Sequence, residues 1–277
     1  MARKKKTAGK KTGGKTLAST ADIHTLYEES VQNVEYEVEF LQQAFVELRG
    51  RKPAFLREDF CGTGNAACRW AHVDKNHRAV GVDIDPAVLE WGRAHHVAAL
   101  SAAARKRVKL LESDVRTVDI APADIIVAFN FSYWYFKQRQ ELLAYFRSVR
   151  AGLASDGVFF IDVFGGAGAY EESREKTRND GFTYIWEQAS YEPISGDYVC
   201  YIHFRFADGS KIKRAFSYHW RLWTLPELID LLDEAGFSRT QVFWEGTDED
   251  GEGSGEYAAA EKGDNDPAWI AYVAALR

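Results

Sequence analysis

Covalent staples and membrane anchors are what this sequence has least of. Its three cysteines, Cys61, Cys68 and Cys200, are odd in number and lack paired metal-type spacing, which excludes both a disulfide framework and a zinc site. No metal is expected. No run of eighteen apolar residues occurs, and the basic N-terminal residues are not followed by an apolar stretch, so neither a membrane span nor a secretory signal is readable. These absences leave a soluble, cytoplasmic protein in a reducing compartment as the expectation. Acids are missing altogether from residues 1–16, which carry Arg3, Lys4, Lys5, Lys6, Lys10, Lys11 and Lys15. The chain's net charge is nonetheless −6, so without those seven cations the remainder stands at −13, 28 cations against 41 acids. A body that negative repels a phosphate backbone, and nucleic acid is not expected as a partner unless the tail supplies the contact.

Residues 1–20 read as a basic, disordered tail and residues 21–277 as one domain carrying an elaboration. Two motif matches fall outside any workable context. Gly9 to Thr16 satisfies the P-loop pattern, but the Lys-rich residues before Gly9 cannot form the buried strand that such a loop needs. Asp248 to Gly253 resembles the start of a calcium loop, but its twelfth position is Ala259, where a bidentate Glu is required; an acidic surface loop fits better.

What is present is a rhythm. Tyr27, Val31, Val34, Val38, Leu41, Phe45 and Leu48 recur at steps of four and three, the stripe of one amphipathic helix, with Asp22 as its cap. After Pro53, short apolar runs alternate with helical segments. Strands are expected at 54–57, 79–82, 108–111, 125–129 and 158–163, with helices from Asn65, from Pro86 and over 138–149. Such alternation specifies a parallel sheet wrapped by helices. Residues 182–220 break it, reading as an insertion of three antiparallel strands with turns at 194–197 and 207–210. A helix over 225–235 and apolar runs at 242–244 and 269–274 complete the sheet.

Gly62 and Gly64 leave the first strand in a turn that lets a ligand approach the backbone, and the helix opening at Asn65 adds oriented amides. Nineteen residues beyond Gly64, Asp83 ends the second strand, where a carboxylate can accept from both hydroxyls of a ribose; Ile84 stands beside it. Gly62 to Ala67 also fits the dinucleotide fingerprint, so an NAD- or FAD-dependent oxidoreductase stays open on these residues alone. Three features point elsewhere. Glu58 precedes the glycines and suits an ammonium rather than a pyrophosphate. Asp114 follows the third strand, where it could accept from an adenine amino group, and no second mononucleotide half follows.

Taken in order, Glu58 to Gly64, Val80-Gly81-Val82-Asp83 and Ser113-Asp114-Val115 resemble the successive cofactor motifs of class I S-adenosylmethionine-dependent methyltransferases over about residues 53–277. The resemblance implies an α/β, Rossmann-like seven-stranded sheet of order 3-2-1-4-5-7-6 with the last strand antiparallel. It implies S-adenosylmethionine as cofactor. It also implies that Glu58 contacts the methionine ammonium, Gly62 and Gly64 line the methionyl portion, Asp83 holds the ribose, and Asp114 with Val115 brackets adenine. Phe60 stands where the family has its first glycine, beside the cofactor.

Methyl transfer needs chiefly a nucleophile held in line with the methyl carbon. The carboxyl end of the fourth strand reads Phe129-Asn130-Phe131-Ser132-Tyr133-Trp134, and Asn130 and Tyr133 are the leading candidates there. The run resembles the turn of small-molecule N-methyltransferases and also echoes the motif of enzymes that methylate exocyclic amines of nucleic acids; the missing prolines and the acidic body favour a small molecule. The insertion holds twelve of the chain's 38 Phe, Trp and Tyr residues within 42 positions, enough for an aromatic cage over the substrate or for a homodimer face. His219 is the candidate base, and Tyr27 the candidate cap over the cofactor. A non-catalytic, cofactor-binding assembly protein is the remaining alternative.

Overall fold

The computed structural model describes residues 15–247 and 253–277. The tail reading over 1–14, most of the P-loop-like run and the acidic segment 248–252 lie outside the described residues. Within the expected tail, Leu17–Thr20 forms a helical turn, α1.

The apolar stripe expected as one helix is two. Ile23–Val31 (α2) is capped by the Asp22 carboxylate, which accepts from His24 and Thr25 amides. The chain then turns extended at Gln32, and Asn33 accepts from the Tyr36 amide to start Val34–Arg49 (α3). The stripe reads continuously although Tyr27 and Val31 of α2 pack with Phe182, Ile202 and Phe204 while Val38, Leu41 and Phe45 of α3 pack with Leu56, Trp70 and Phe160, so periodicity alone does not expose the break.

Next come strand Phe55–Asp59 (β1), helix Asn65–Val73 (α4), strand Arg78–Asp83 (β2), helices Pro86–Gly92 (α5) and Ala102–Arg105 (α6), and strands Val108–Glu112 (β3) and Ala123–Ala128 (β4). Helix Arg139–Gly152 (α7) leads to the long strand Leu153–Gly165 (β5). Strands β1 to β5 pair in parallel in the order 3-2-1-4-5. Alternate β4 residues go to opposite cores: Ile125 and Val127 pack under α3 and α4, while Ile126 and Ala128 pack with α7.

Four strands then leave this sheet: Ser173–Arg178 (β6), Phe182–Tyr191 (β7), Asp197–Phe206 (β8) and Lys211–Arg221 (β9). They form a separate antiparallel sheet, one strand larger than expected. The extra strand, Ser-Arg-Glu-Lys-Thr-Arg, has no apolar alternation and is largely exposed, an edge held by its hydrogen bonds to β7. Helix Leu225–Glu234 (α8) returns the chain to the main sheet through Arg239–Thr247 (β10), Gly253–Ala260 (β11) and Trp269–Leu276 (β12).

The main sheet is the expected Rossmann-like architecture, with β12 running antiparallel beside β5 and β10 outside it. It has eight strands rather than seven. Strand β11 is a Gly- and Ala-rich segment of low strand propensity, recruited by the open edge of β10. Among the described residues no helix is long and apolar enough to cross a membrane.

The packing that matters for the site is closest at Gly92. A β-carbon there would lie 1.9 Å from the Thr63 carbonyl oxygen, so α5 can meet the turn after β1 only without a side chain. Gly92→Ala is therefore expected to displace that turn and to destabilise the fold by about 1–3 kcal/mol, read from urea unfolding.

Candidate active site

Strand β1 ends in a turn of left-handed residues. Phe60, Gly62 and Gly64 have φ of 56°, 53° and 69°. At Gly64 a β-carbon would fall 2.5 Å from Leu110 Cδ2, so both conformation and space demand glycine. Phe60 holds a left-handed backbone, at about 1–2 kcal/mol for an L-residue. Its ring offsets this by packing against Phe136 and Tyr145, with centroids 5.8 and 5.7 Å away.

The turn is held by carboxylates. Asp83 accepts from the Gly62 amide at 2.8 Å and from the Asp85 amide at 3.0 Å. Glu58 accepts from the Ala67 amide at 2.8 Å, in the first turn of α4. Helix α2 is pinned over the turn: Glu28 accepts from the Thr63 hydroxyl at 2.6 Å, and the Asn65 amide group donates to Gln32 at 3.0 Å.

A cavity of 520 Å³ opens above this turn. Tyr27, Glu58, Phe60, Gly62, Asp83, Ile84 and Asn130 all line it, which brings seven of the sequence-predicted residues to one place. Glu37 lines it too and was missed. Its signal was present: on α3 it occupies the buried face shared by Val34, Val38 and Leu41, where an acid is out of place. Burial raises the Glu58 carboxyl to about 8, with Glu37, Asp83 and Asp59 adding repulsion, and burial raises Glu37 to about 7. The lining contains no lysine or arginine.

Five predicted residues are elsewhere, His219 among them. Gly64 caps α4 against Leu110 rather than facing the cavity. Asp114 is engaged by the Arg116 guanidinium at 2.6 Å, which lowers its pKa, and it does not line the cavity. Val115 is buried, and its carbonyl accepts from Arg57 at 2.7 Å. Arg57 in turn forms a buried ion pair with Asp59 at 2.6 Å. Tyr133 is fully buried and donates its hydroxyl to the Asp162 carbonyl at 2.8 Å, so it belongs to the core.

His219, the other catalytic candidate, lies outside both that core and the cavity. On β9, Tyr218 and Trp220 face inward, so the residue between them is turned outward and exposed. The same alternation orders the insertion. Tyr198, Cys200, Ile202, Phe204 and Phe206 of β8 are buried against the molecule, so this row of side chains packs within the chain.

That inward face helps to enclose a second cavity of 410 Å³ between the two sheets. Phe131, Trp186, Trp220 and Trp269 supply its walls, and its only charged lining residues are Glu175 and Glu245. Tyr27, Asn130 and Tyr218 line both cavities and so mark where they adjoin. Burial raises the pKa of both tyrosines, so each stays a neutral phenol near pH 7.

Asn130 is placed by strain. It and Phe131 are consecutive left-handed residues, φ 58° and 54°. The Asp162 carboxylate of β5 accepts from both amides, at 2.7 and 2.9 Å. Burial raises the Asp162 carboxyl to about 7.

A parallel sheet carrying a glycine turn, Asp83 at the end of its second strand and a cavity lined by acids at its carboxyl edge defines a Rossmann-like α/β fold. Residues 60–157 match the methyltransferase domain family, and the chain as a whole has the fold of the class I methyltransferases. It superposes on an S-adenosylmethionine-dependent methyltransferase from Clostridium acetobutylicum at 16% identity, TM-score 0.65, over 91% of this chain and 96% of that one. An amino pentose methyltransferase from Micromonospora echinaspora matches at 17% identity and TM-score 0.63, over 92% and 96% of the two chains. The sugar N-methyltransferase KedS8 from Streptoalloteichus matches at 18% and 0.62, over 99% and 98%. No curated protein matches by sequence.

The Asp162 contacts give a direct test. Asp162→Asn presents an amide group where two N–H donors need acceptors, and is expected to cost about 2–4 kcal/mol in thermal or urea unfolding at pH 7. The raised carboxyl has its own sign: its contribution is fully present below pH 4 and is lost as pH rises through about 7.

Proposed function

We propose that this protein transfers a methyl group from S-adenosylmethionine to an amine nitrogen of a small molecule. The observation that carries this reading is the pair of adjoining cavities, one lined by acids above the glycine turn and one aromatic with two carboxylates and no basic residue.

The first cavity suits a cationic cofactor. Glu37 and Glu58 are acids without a lysine or arginine in the lining to pair with, so an ammonium or sulfonium supplies the missing charge. A pyrophosphate would meet the same carboxylates as repulsion, which disfavours the NAD or FAD alternative. In this reading Asp83 takes the ribose, and Ile84, 71% exposed at the rim, covers the adenine. When bound, S-adenosylmethionine supplies an electrophilic methyl carbon.

The second cavity suits an amine. Aromatic faces and carboxylates both attract an ammonium, and no competing cation lines the walls. The likeness to structures described as a sugar N-methyltransferase and an amino pentose methyltransferase supports the same acceptor class. The reacting nitrogen must present its lone pair, so the ammonium first yields a proton; Glu175 and Glu245 are the acceptors the cavity offers. Tyr27 and Tyr218, as neutral phenols, orient rather than deprotonate, and Asn130 accepts from the amine N–H at the junction. The four-stranded sheet is the lid over this space, elaborating a domain that spans 21–277. Three buried free thiols are consistent with a cytoplasmic setting.

Incubation with radiolabelled S-adenosylmethionine and a fractionated metabolite extract is expected to label amines. Label in hydroxyl or thiol compounds alone would reject the acceptor class, and no calorimetric binding of millimolar S-adenosylhomocysteine would reject the whole reading. Tyr218→Phe is expected to lower kcat about tenfold. Tyr133→Phe should leave kcat unchanged and cost about 1 kcal/mol of stability.

The acids predict a pH dependence. Glu37 and Glu58 hold protons below about 7 and 8, and a cationic ligand binds best once those protons have left. Affinity for S-adenosylmethionine, whose sulfonium and ammonium make it a net cation, should therefore rise between about pH 6 and pH 8. Glu58→Gln should flatten that rise, and an unchanged profile would remove Glu58 from the cofactor seat.

A further inference from the structure

The chain's negative charge is an average, and the lid sheet departs from it. Its inner face meets the acceptor cavity through Glu175. Its outer face is basic. The register places Arg178, Thr183, Arg205 and Lys211 in one row across all four strands, and Lys176, Ile185 and His203 in the next. Neighbouring strands lie about 4.8 Å apart, so the three cations of the first row form a line rather than a scatter.

A bulge adds two more. Between the pairs Ile202↔Phe216 and Phe204↔Ile212, β9 has extra residues opposite His203. Arg214 takes φ 50° there and donates its amide to His203 Nδ1 at 3.0 Å. Consecutive residues normally point to opposite faces, but this turn brings both Lys213 and Arg214 to the outer face.

Lys176, Arg178, Arg205, Lys211, Lys213 and Arg214 are all exposed, and none has a salt-bridge partner among the described residues. Arg174, also on this face, is paired with Glu187 at 2.6 Å. Two concavities of 680 and 400 Å³ lie here, both bordered by Arg205 and Lys211, and Glu187 is the single acid among their lining residues.

The N-terminal segment joins the fold at the same place. The Leu17 amide donates to Asp208 at 2.9 Å and the Ala18 amide to Ser210 at 3.1 Å, both in the turn between β8 and β9. The seven cations of residues 1–16 thus immediately precede a segment attached to this sheet.

We propose that the outer face of the lid sheet is a sequence-independent docking surface for the phosphates of a nucleic acid. Phosphate recognition needs rows of Arg and Lys and no apolar centre, and that is this face's composition. A protein partner of ordinary affinity would bury an apolar core, and a bilayer would take inserted apolar side chains; the rows offer only Ile185. The surface lies across the sheet from the acceptor cavity, so it tethers the enzyme and does not make the nucleic acid its methyl acceptor. The proposal stands independently of the acceptor assignment.

The test uses the full-length chain and a fluorescein-labelled duplex of about 20 base pairs, read by anisotropy between about 50 and 200 mM salt. The comparison is a variant combining Lys176→Gln, Arg205→Gln, Lys211→Gln and Lys213→Gln. Wild type should bind with steep salt dependence. The variant should bind at least tenfold more weakly at the lowest salt, with the log–log slope reduced by about 3 to 4 and an unchanged thermal unfolding midpoint. Equal affinity and slope in the two proteins, or no wild-type binding at the lowest salt, would overturn the proposal. So would tighter binding to phosphatidylserine vesicles or to polyglutamate than to the duplex.

Discussion

The Asp162 carboxylate holds two consecutive amides, those of Asn130 and Phe131, and much of the candidate site depends on that grip. Both residues are left-handed, a conformation that costs about 1–2 kcal/mol each for an L-residue and persists only where its surroundings compensate. Here the compensation is a buried acceptor on the adjacent strand. The consequence is positional: with the chain bent at that point, Asn130 borders both cavities, Phe131 walls the second, and Tyr133 is driven into the core. Strain at the end of β4 is thus the means by which a regular parallel strand is made to carry a junction between two chambers.

The electrostatics divide along the same lines. Acids without basic neighbours are kept inside, at Glu37 and Glu58, where burial makes their ionised forms costly until a cation arrives. Acids that need a permanent structural role have their cations close by, as Asp59 has Arg57 and Asp114 has Arg116. Free cations are gathered on the outside of the lid. This arrangement separates a cation-seeking interior from an anion-seeking exterior across the thickness of one antiparallel sheet.

The turn from Glu58 to Gly64 was legible because its chemistry is local. Left-handed glycines, a helix opening behind them and an acid at the end of the next strand are all set by sequence neighbours, and the structure gathers Glu58, Gly62 and Asp83 around one cavity. Phe60 was legible as an oddity but not as a solution, since the rings that pack against it, Phe136 and Tyr145, come from far along the chain. Other placements depend on more than residue type. Tyr133 lies in the core beyond a bend and His219 on the outer side of a strand alternation. Asp114 meets Arg116, a contact that only the folded chain shows.

The sequence by itself determined the alternation of strands and helices, the parallel sheet, the antiparallel insertion and the acid-flanked glycine turn, because hydrophobic period and backbone preference act over a few residues. Only the tertiary structure decided the fourth lid strand, the eighth strand of the main sheet and the break between α2 and α3, which depend on open edges and on packing from outside the segment. It alone decided which face of the lid meets the second cavity, since one residue of register exchanges the inside and outside of every strand. That choice put Tyr218 at the junction, turned His219 to solvent, and collected on one surface the cations that a net charge of −6 had concealed.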